Sequence, residues 1–292
     1  MPNLTNPGTL EWKIGEVRIT RIVELEAPGL TFVLPDATPE NLNSIEWLAP
    51  HFVNEERQAL ASVQALVIES KGTRIIVDTC IGNDKALPIR RWSNRKGPFL
   101  QDLAASGHPG EEIDVVVCTH LHMDHVGWNT SLVDGRWVPT FANARYLFGG
   151  IEWDHWNRTR EGWTNSIIQQ SIQPILEAGL TDLVEADHRV TDEVWLETTP
   201  GHTPGHVAVR ISSGGQEAVI TGDLMHHPCQ IARPEWASTA DVDPQAARRT
   251  RNDFVERYAD TGTLVFGTHF PAPTAGRVVR DRDGFRLETT AL

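Results

Sequence analysis

Short runs of apolar residues recur along most of the chain, and each has the length and β-branched composition of a buried strand. Many of these runs end abruptly in glycine, aspartate or histidine. The predicted strands are Leu66–Glu69, Arg74–Thr79, Ile113–Thr119, Ala144–Phe148, Glu193–Thr198, His206–Ser212, Glu217–Thr221 and Leu264–Thr268.

Helical spacing of apolar residues lies between several of these strands. The predicted helices are Pro98–Ser106, Thr164–Ala178 and Pro244–Ala259. We expect Pro174 to kink the second helix or to start a new turn. Asp243 can cap the third helix, with Pro244 at its first position. Strands and helices occur in mixed order, which predicts an α/β (α+β) fold.

The sequence contains no repeat, low-complexity tract or flexible linker, so we expect a single domain over residues 1–292. Residues 1–60 are broken by prolines and are expected to form an irregular N-terminal extension. This extension is a candidate cap over a site, or a candidate arm of a homodimer. The regular elements lie within residues 61–270, and a C-terminal hairpin is expected over residues 271–292.

The chain is acidic, because 26 lysines and arginines oppose 39 aspartates and glutamates, for a net charge of −13. This charge repels a phosphate backbone and argues against a nucleic-acid partner. No apolar run approaches the roughly 20 residues that span a bilayer, and the first residues lack the features of a secretory signal. Three cysteines without short spacing suit a reducing compartment, so we expect a cytoplasmic protein without a membrane partner.

The predicted strand Ile113–Thr119 runs directly into a cluster of ligand-type residues, His120-Leu-His122-Met-Asp124-His125. A tight loop after a strand end lets His120 and His122 converge on one cation while Asp124 and His125 turn to a second. Neutral imidazole and carboxylate are good ligands for zinc and similar ions.

Three further ligand-type residues end or follow other predicted strands. They are His202 in Gly-His-Thr-Pro-Gly, Asp223 after Ala218–Gly222, and His269 after Leu264–Thr268. Ligands gathered from several strand ends would form a rigid site at one edge of a sheet.

The order His-x-His-x-Asp-His, His, Asp, His resembles the pattern of the metallo-β-lactamase-fold hydrolases, over about residues 60–270. The resemblance implies a four-layer αβ/βα sandwich with a two-metal site at one edge. It implies that His120, His122 and His202 bind one metal ion, that Asp124, His125 and His269 bind the other, and that Asp223 bridges both. Zinc is the expected ion, although such ligands also accept manganese, iron or cobalt.

Departures from particular branches narrow the resemblance. The flavin-linked di-iron branch has Glu at the position of His122, and many true β-lactamases have Cys or Ser at that of Asp223. The pattern is more similar to the lactonase, glyoxalase II and organophosphate hydrolase branches. Quorum lactonases place a catalytic Tyr three residues after the bridging Asp, where this chain has His226, which can donate a hydrogen bond to a substrate oxygen.

Residues near the cluster have both a functional and a structural interpretation. Asp78, at a predicted strand end, can accept an N–H from a ligand histidine and fix its tautomer, or can be a turn residue. Aromatic residues near the metal loop and strand ends can wall an apolar substrate pocket or belong to the core. The pocket candidates are Trp128, Trp153, Trp156 and Phe270.

These features predict a hydrolase in which a metal-bridging hydroxide attacks a small, largely apolar lactone, ester or similar substrate. Asp124 or Asp223 would hold or pass the proton to the leaving group, with His226 as partner. A phosphotriester or β-lactam hydrolase is the alternative within the fold. An RNA-processing nuclease and a non-catalytic metal-binding protein are the alternatives from other classes.

Overall fold

The computed structural model describes residues 10–160, 162–282 and 284–289 of the chain. The beginning of the predicted N-terminal extension, residues 1–9, lies outside the described residues. Residues 283 and 290–292, within the predicted C-terminal hairpin, lie outside them as well. Among the described residues, no helix is both long enough and apolar enough to cross a membrane.

The strands are β1 (Glu11–Ile14), β2 (Val17–Pro28), β3 (Leu60–Ser70), β4 (Thr73–Val77), β5 (Val115–Val117), β6 (Thr130–Val133), β7 (Arg136–Pro139), β8 (Arg145–Gly149), β9 (Thr181–Val184), β10 (Val194–Thr198), β11 (Val207–Ser213), β12 (Gln216–Ile220), β13 (Leu264–Phe266), β14 (Ala275–Asp281) and β15 (Gly284–Glu288). The α-helices are α1 (Pro39–Asn43), α2 (Phe99–Ala105), α3 (Gly150–Arg158), α4 (Gly162–Ile167), α5 (Gln173–Glu177), α6 (Cys229–Ala232) and α7 (Pro244–Tyr258). A π-helical segment, Ile168–Ile172, joins α4 to α5.

Two sheets form the centre of the molecule. The first sheet has the strand order β1-β2-β3-β4-β5-β8-β9, antiparallel from β1 to β4 and parallel from β4 to β9. The second sheet has the order β10 to β15, in which only the β12–β13 pair is parallel among the described strands. Strands β6 and β7 form a separate antiparallel ribbon.

Both faces of each sheet are covered, which explains why the central strands are continuous apolar runs. In β4, Ile75 and Val77 pack in the core between the two sheets, whereas Ile76 packs in the core that contains α2, α4 and α5. The outer face of the second sheet packs against α1, α6 and α7. The layers are therefore helix, sheet, sheet, helix, and the predicted αβ/βα sandwich is confirmed.

All eight predicted strands and all three predicted helical regions are present, with shifted boundaries. The second helical region differs in form, because α4 passes into the π-helical segment before Pro174 lies in the first turn of α5. Proline lacks an N–H and clashes with a preceding carbonyl, so the wider turn accommodates it.

The largest difference lies in residues 11–28, where the irregular extension was expected. These residues form β1 and β2, and β2 pairs along almost all of β3. The apolar pattern does not reveal β2, because charged side chains such as Arg21 and Glu24 interrupt it. Arg21 is nevertheless only 3% exposed, and its guanidinium donates to Glu26 of the same strand and to Ser62 of β3.

Parallel strand pairs bring four chain segments to one edge of the sandwich. Strands β4 and β5 are parallel neighbours in the first sheet, and β12 and β13 are parallel neighbours in the second. The segments that follow them carry Asp78, His120, Asp223 and His269. At this edge the loop after β5 crosses the turn after β4 so closely that a Cβ on Gly127 would lie 1.8 Å from the carbonyl oxygen of Ile81.

Candidate metal centre

The seven predicted ligands meet at this edge in two adjacent groups. In each group the potential ligand atoms lie within 4.8 Å of one another. The three-histidine group consists of His120, His122, His202 and Asp223. The mixed group consists of Asp124, His125 and His269.

The carboxylate of Asp223 lies between the two groups. Its Oδ2 atom is 3.4 Å from His202 Nε2, and its Oδ1 atom is 3.3 Å from His125 Nε2 and 3.0 Å from His269 Nε2. Oδ1 is buried and makes no hydrogen bond. One oxygen therefore faces each group, which is the arrangement that a bridging ligand requires.

The outward-facing nitrogen of several histidines is held by an acceptor. His125 Nδ1 lies 2.9 Å from Asp78 Oδ2, His202 Nδ1 lies 3.0 Å from Asp241 Oδ1, and His269 Nδ1 lies 2.8 Å from the carbonyl oxygen of Ser62. Each acceptor favours a proton on Nδ1, so the lone pair of Nε2 points to the centre.

Asp78 also supports His120, through Thr119. The Thr119 backbone N–H donates to Asp78 Oδ1 at 2.8 Å, and the Thr119 hydroxyl donates to Oδ2 at 2.9 Å. Thr119 Oγ1 in turn lies 3.1 Å from His120 Nδ1 and can accept its proton. Asp78 thus lies where a residue that supports the ligand histidines would be expected.

Burial favours neutral His120 and His122, whereas the anionic Asp223 favours protonation of His125 and His269. Burial lowers the pKa of His120 and His122 well below the usual value. Burial opposes ionisation of Asp223, but His125, His269 and His226 outweigh it and hold the pKa of that carboxyl well below its usual range. Burial also opposes a charge on His125 and His269, yet Asp223 raises the pKa of both. The carboxylates therefore favour positive charge at the centre.

The donor set fits divalent metal ions. His122 Nδ1 lies 2.9 Å from His120 Nε2 and 2.9 Å from His202 Nε2, so three ring nitrogens converge on one point beside a carboxylate oxygen. Three imidazoles and one carboxylate match the ligands of first-row divalent ions. The free Oδ1 of Asp223 and the mixed group provide the donors for a second ion.

His226 lies beside the centre. Its Nε2 atom is 3.2 Å from Asp223 Oδ2, and its ring stacks on that of His269. Its Nδ1 atom is buried and makes no hydrogen bond. His206, which the sequence does not assign to the site, instead accepts the backbone N–H of Asp223 at 2.8 Å.

An open cleft of about 460 Å³ leads to the centre. Its walls are mainly apolar and aromatic, and include Phe32, Trp92, Met123, Trp156, Trp163 and Val242. Trp156 lies edge-on to His122, with the ring centroids 5.2 Å apart. A small substrate with an apolar group fits such walls better than a highly charged one.

The other three pocket candidates lie elsewhere, which corrects their predicted role. Trp128 is 5% exposed, stacks on Phe99 and donates its indole N–H to Glu24. Phe270 is fully buried, because its ring folds back over Gly267. Trp153 packs against the core of the first sheet.

Several contributors to the site are not identifiable from the sequence. Asp241 lies in an irregular loop far from His202, and Ser62 contributes only a backbone carbonyl, which any residue can provide. Phe32 and Trp163 reach the cleft from a loop and from α4. No local pattern indicates these contacts, because each depends on how distant segments pack.

Comparison with known families supports this site. Residues 60–282, most of the chain, match the family model of the metallo-β-lactamase superfamily. The chain belongs to this superfamily. The resemblance inferred from the histidine and aspartate pattern is thereby confirmed. Members of the superfamily hold two divalent metal ions in a dinuclear site. The matched region, with its two His/Asp groups, is a metal-dependent hydrolase domain of that superfamily.

Curated members of the superfamily are distant in sequence. An N-acyl homoserine lactonase of a Bacillus species is 28% identical over 107 residues, which cover 37% of this chain and 36% of the lactonase. A probable metallo-hydrolase of Mycobacterium tuberculosis is 26% identical over 175 residues, which cover 56% of each chain. The matches thus span only about a third to a half of the length of these relatives.

Solved superfamily structures match the whole fold. The hydrolase AbOPH has a TM-score of 0.80 at 24% identity, covering 98% of both chains. AidC, a dizinc quorum-quenching lactonase in complex with a product, has a TM-score of 0.76 at 24% identity, also covering 98% of both chains. These likenesses establish the shared fold.

Proposed function

We propose that the protein is a dinuclear hydrolase, with zinc as its ion, that opens a lactone or cleaves an ester of a small, largely apolar compound. The observation that carries this proposal is the Asp223 carboxylate, which turns one oxygen to each of two groups of metal-type ligands. Two divalent ions held there would lower the pKa of water and polarise the substrate oxygen.

Two side chains beside the centre would handle the proton and the hydrogen bond that hydrolysis requires. Asp124, 13% exposed through its side chain, lies at the cleft with its Oδ2 atom 3.6 Å from His269 Nε2 and can hold a proton released during attack. His226 lines the cleft with its Nε2 atom beside Asp223, and can donate from there to an oxygen of the substrate or leaving group.

The choice of substrate class rests on the cleft and on charge. Trp156, Trp163 and Phe32 offer apolar surface beside the centre, and a net charge of −13 disfavours polyanionic substrates. The similarity to an N-acyl homoserine lactonase agrees with a lactone substrate, although His226 stands where the quorum lactonases that the sequence pattern resembles have a catalytic Tyr.

The cysteines support a cytoplasmic location. Cys80, Cys118 and Cys229 are buried and free, as is usual for proteins of reducing compartments.

Elemental analysis and a substrate panel test the proposal. We expect two metal ions per chain, and turnover of chromogenic lactones and aryl esters above that of phosphotriesters and β-lactams, with zinc, manganese or cobalt. His122→Ala combined with Asp223→Ala should abolish turnover while circular dichroism stays unchanged, and His188→Ala, outside the centre, should retain turnover. Activity that survives the double substitution would refute the mechanism, and hydrolysis of phosphotriesters alone would overturn the substrate class.

A further inference from the structure

Glu152 is a buried carboxylate that the mechanism above does not use. It lies on α3, directly after β8, and is 1% exposed. A buried carboxylate is costly unless hydrogen bonds satisfy it, so its partners indicate why the position holds one.

The partners of Glu152 belong to both loops that supply the three-histidine group. Oε1 accepts the backbone N–H of Leu121 at 3.0 Å, and Leu121 lies between His120 and His122. Oε2 accepts the backbone N–H of Gly205 at 3.1 Å, three residues after His202.

The two loops come from different sheets, and their bases are joined by a backbone hydrogen bond from the Val207 N–H to the Thr119 carbonyl oxygen at 3.0 Å. The first loop follows β5 of the first sheet, and the second precedes β11 of the second sheet. The second loop also approaches α3 directly, since a Cβ on Gly205 would lie 2.2 Å from the backbone nitrogen of Glu152. The carboxylate is therefore a fixed link between the loops.

The same carboxylate holds a wall of the cleft. Oε1 also accepts the indole N–H of Trp156 at 2.6 Å, and Trp156 lies edge-on to His122. One side chain thus contacts both ligand loops and an aromatic residue against which a substrate would bind.

We propose that Glu152 is a positioning residue that sets the separation of the loops carrying His120, His122 and His202 and aligns Trp156 with them. This inference rests on the proposed metal centre. It also predicts selectivity between the two groups, because the hydrogen bonds of Glu152 reach the backbone beside the three histidines of one group and no ligand of the other. Asp78 holds His125, and the Ser62 carbonyl holds His269.

Glu152→Gln tests the link with little change in shape. A glutamine offers only one acceptor oxygen, so its NH₂ group must face either the Gly205 N–H or the N–H groups of Leu121 and Trp156. In one of the two loops, a backbone N–H would then face the glutamine NH₂ group, and the hydrogen bond would be lost. We expect the affinity for one of two ions to fall about 10- to 100-fold while the other ion binds as in the wild type. Cobalt titration of the metal-free protein, followed by its absorption spectrum, measures the two steps separately.

Glu24→Gln is the matched control. Glu24 also accepts two backbone N–H groups, those of Ile81 and Gly82, and one indole N–H, that of Trp128. Its substitution alters the same kind of bonds in the turn after β4 and after His125, away from the backbone beside His120, His122 and His202, so the cobalt step that Glu152→Gln weakens should keep its wild-type affinity.

Trp156→Phe separates the two parts of the proposal. It removes the indole donor but leaves both backbone bonds to Glu152, so cobalt affinity should stay within about twofold of the wild type while KM rises. If Glu152→Gln does not fold, Glu152→Asp, whose carboxylate is about 1.5 Å closer to the backbone, should reach only one loop and weaken one cobalt step.

The outcomes distinguish this inference from the proposed function. A wild-type protein that binds no cobalt would refute both. A wild type with two cobalt steps, together with unchanged steps in the folded Glu152→Gln or Glu152→Asp variant, would overturn only the role of Glu152. Equal weakening of both steps, or the same loss in Glu24→Gln, would also overturn it, because the effect would then be a general structural one.

Discussion

Asp78 connects the two ligand groups although it belongs to neither. It accepts a hydrogen bond from His125 directly, and it is linked to His120 by hydrogen bonds through the Thr119 hydroxyl. One buried carboxylate therefore orients an imidazole in each group. Its backbone has a φ of 56°, a conformation that aspartate tolerates better than most residues. Conformation and hydrogen bonding therefore both favour aspartate at this position.

Asp78→Asn should weaken the binding of both metal ions, by about 10- to 100-fold. The amide keeps one acceptor oxygen and no charge, so its NH₂ group faces either the Thr119 backbone N–H or both the Thr119 hydroxyl and His125, all of which donate. Competition with a coloured chelator measures the affinities. Asp114→Asn, which alters an exposed acceptor of the Arg74 backbone N–H, is the control, and unchanged affinities in Asp78→Asn would contradict this role.

Lys85 ties the π-helical segment to the β6–β7 ribbon. Its Nζ amino group donates to Thr130 Oγ1 and to the carbonyl oxygen of Gln170, 3.1 Å away, and lies 3.6 Å from the centroid of the Trp137 ring. The π-helical segment continues from α4, which brings Trp163 to the cleft. A single buried lysine thus anchors an element that shapes the substrate site.

The lysine should make stability depend on pH. Burial lowers the pKa of Lys85 to about 6, whereas the unfolded chain has a lysine pKa near 10.4. Between these values the unfolded state binds a proton that the folded state does not, so the free energy of unfolding should rise with pH, by up to about 1.4 kcal/mol per pH unit.

Urea unfolding of wild type and Lys85→Met at pH 6, 7.5 and 9 checks this prediction. The wild-type increase over this window should exceed that of Lys85→Met, because methionine cannot take up the proton. Lys96→Met, in which an exposed lysine is replaced, should keep the wild-type increase. Identical pH profiles in wild type and Lys85→Met would show that the lysine stays charged in the fold.

The metal centre lies in loops at the edge of the molecule, outside the hydrophobic core that holds the two sheets together. Three hydrophobic cores fill the space between the sheets and under both helix layers. A chain of this size buries enough apolar surface to fold without a metal staple.

Removal of metal with a chelator should therefore leave a folded but less stable protein. We expect the far-ultraviolet circular dichroism to stay native and the Tm to fall, since bound ions stabilise by mass action. Added zinc should restore the Tm. Loss of cooperative unfolding in the metal-free protein would mean that the hydrophobic cores alone do not stabilise the fold.

Sequence alone determines the parts of this protein that are local. Buried strands such as β5 and β13 are continuous apolar runs because both faces of each sheet are covered. The seven ligand candidates are identifiable because histidines and aspartates cluster at the ends of such runs. Their chemical type and spacing, together with the resemblance that the pattern carries, indicate the fold before any coordinates.

Tertiary structure decided what depends on contacts between distant segments. Strand β2 is hidden in the sequence because its arginine is buried through contacts with Glu26 of the same strand and Ser62 of β3, which folding brings together. Trp156 lines the cleft and Trp128 does not, since the loop at Gly127 packs against Ile81 and turns the indole of Trp128 toward Glu24. The supports Asp241, Ser62 and Glu152 likewise have no sequence signal, because a hydrogen bond across loops depends on where folding places the two partners rather than on their neighbours in the chain.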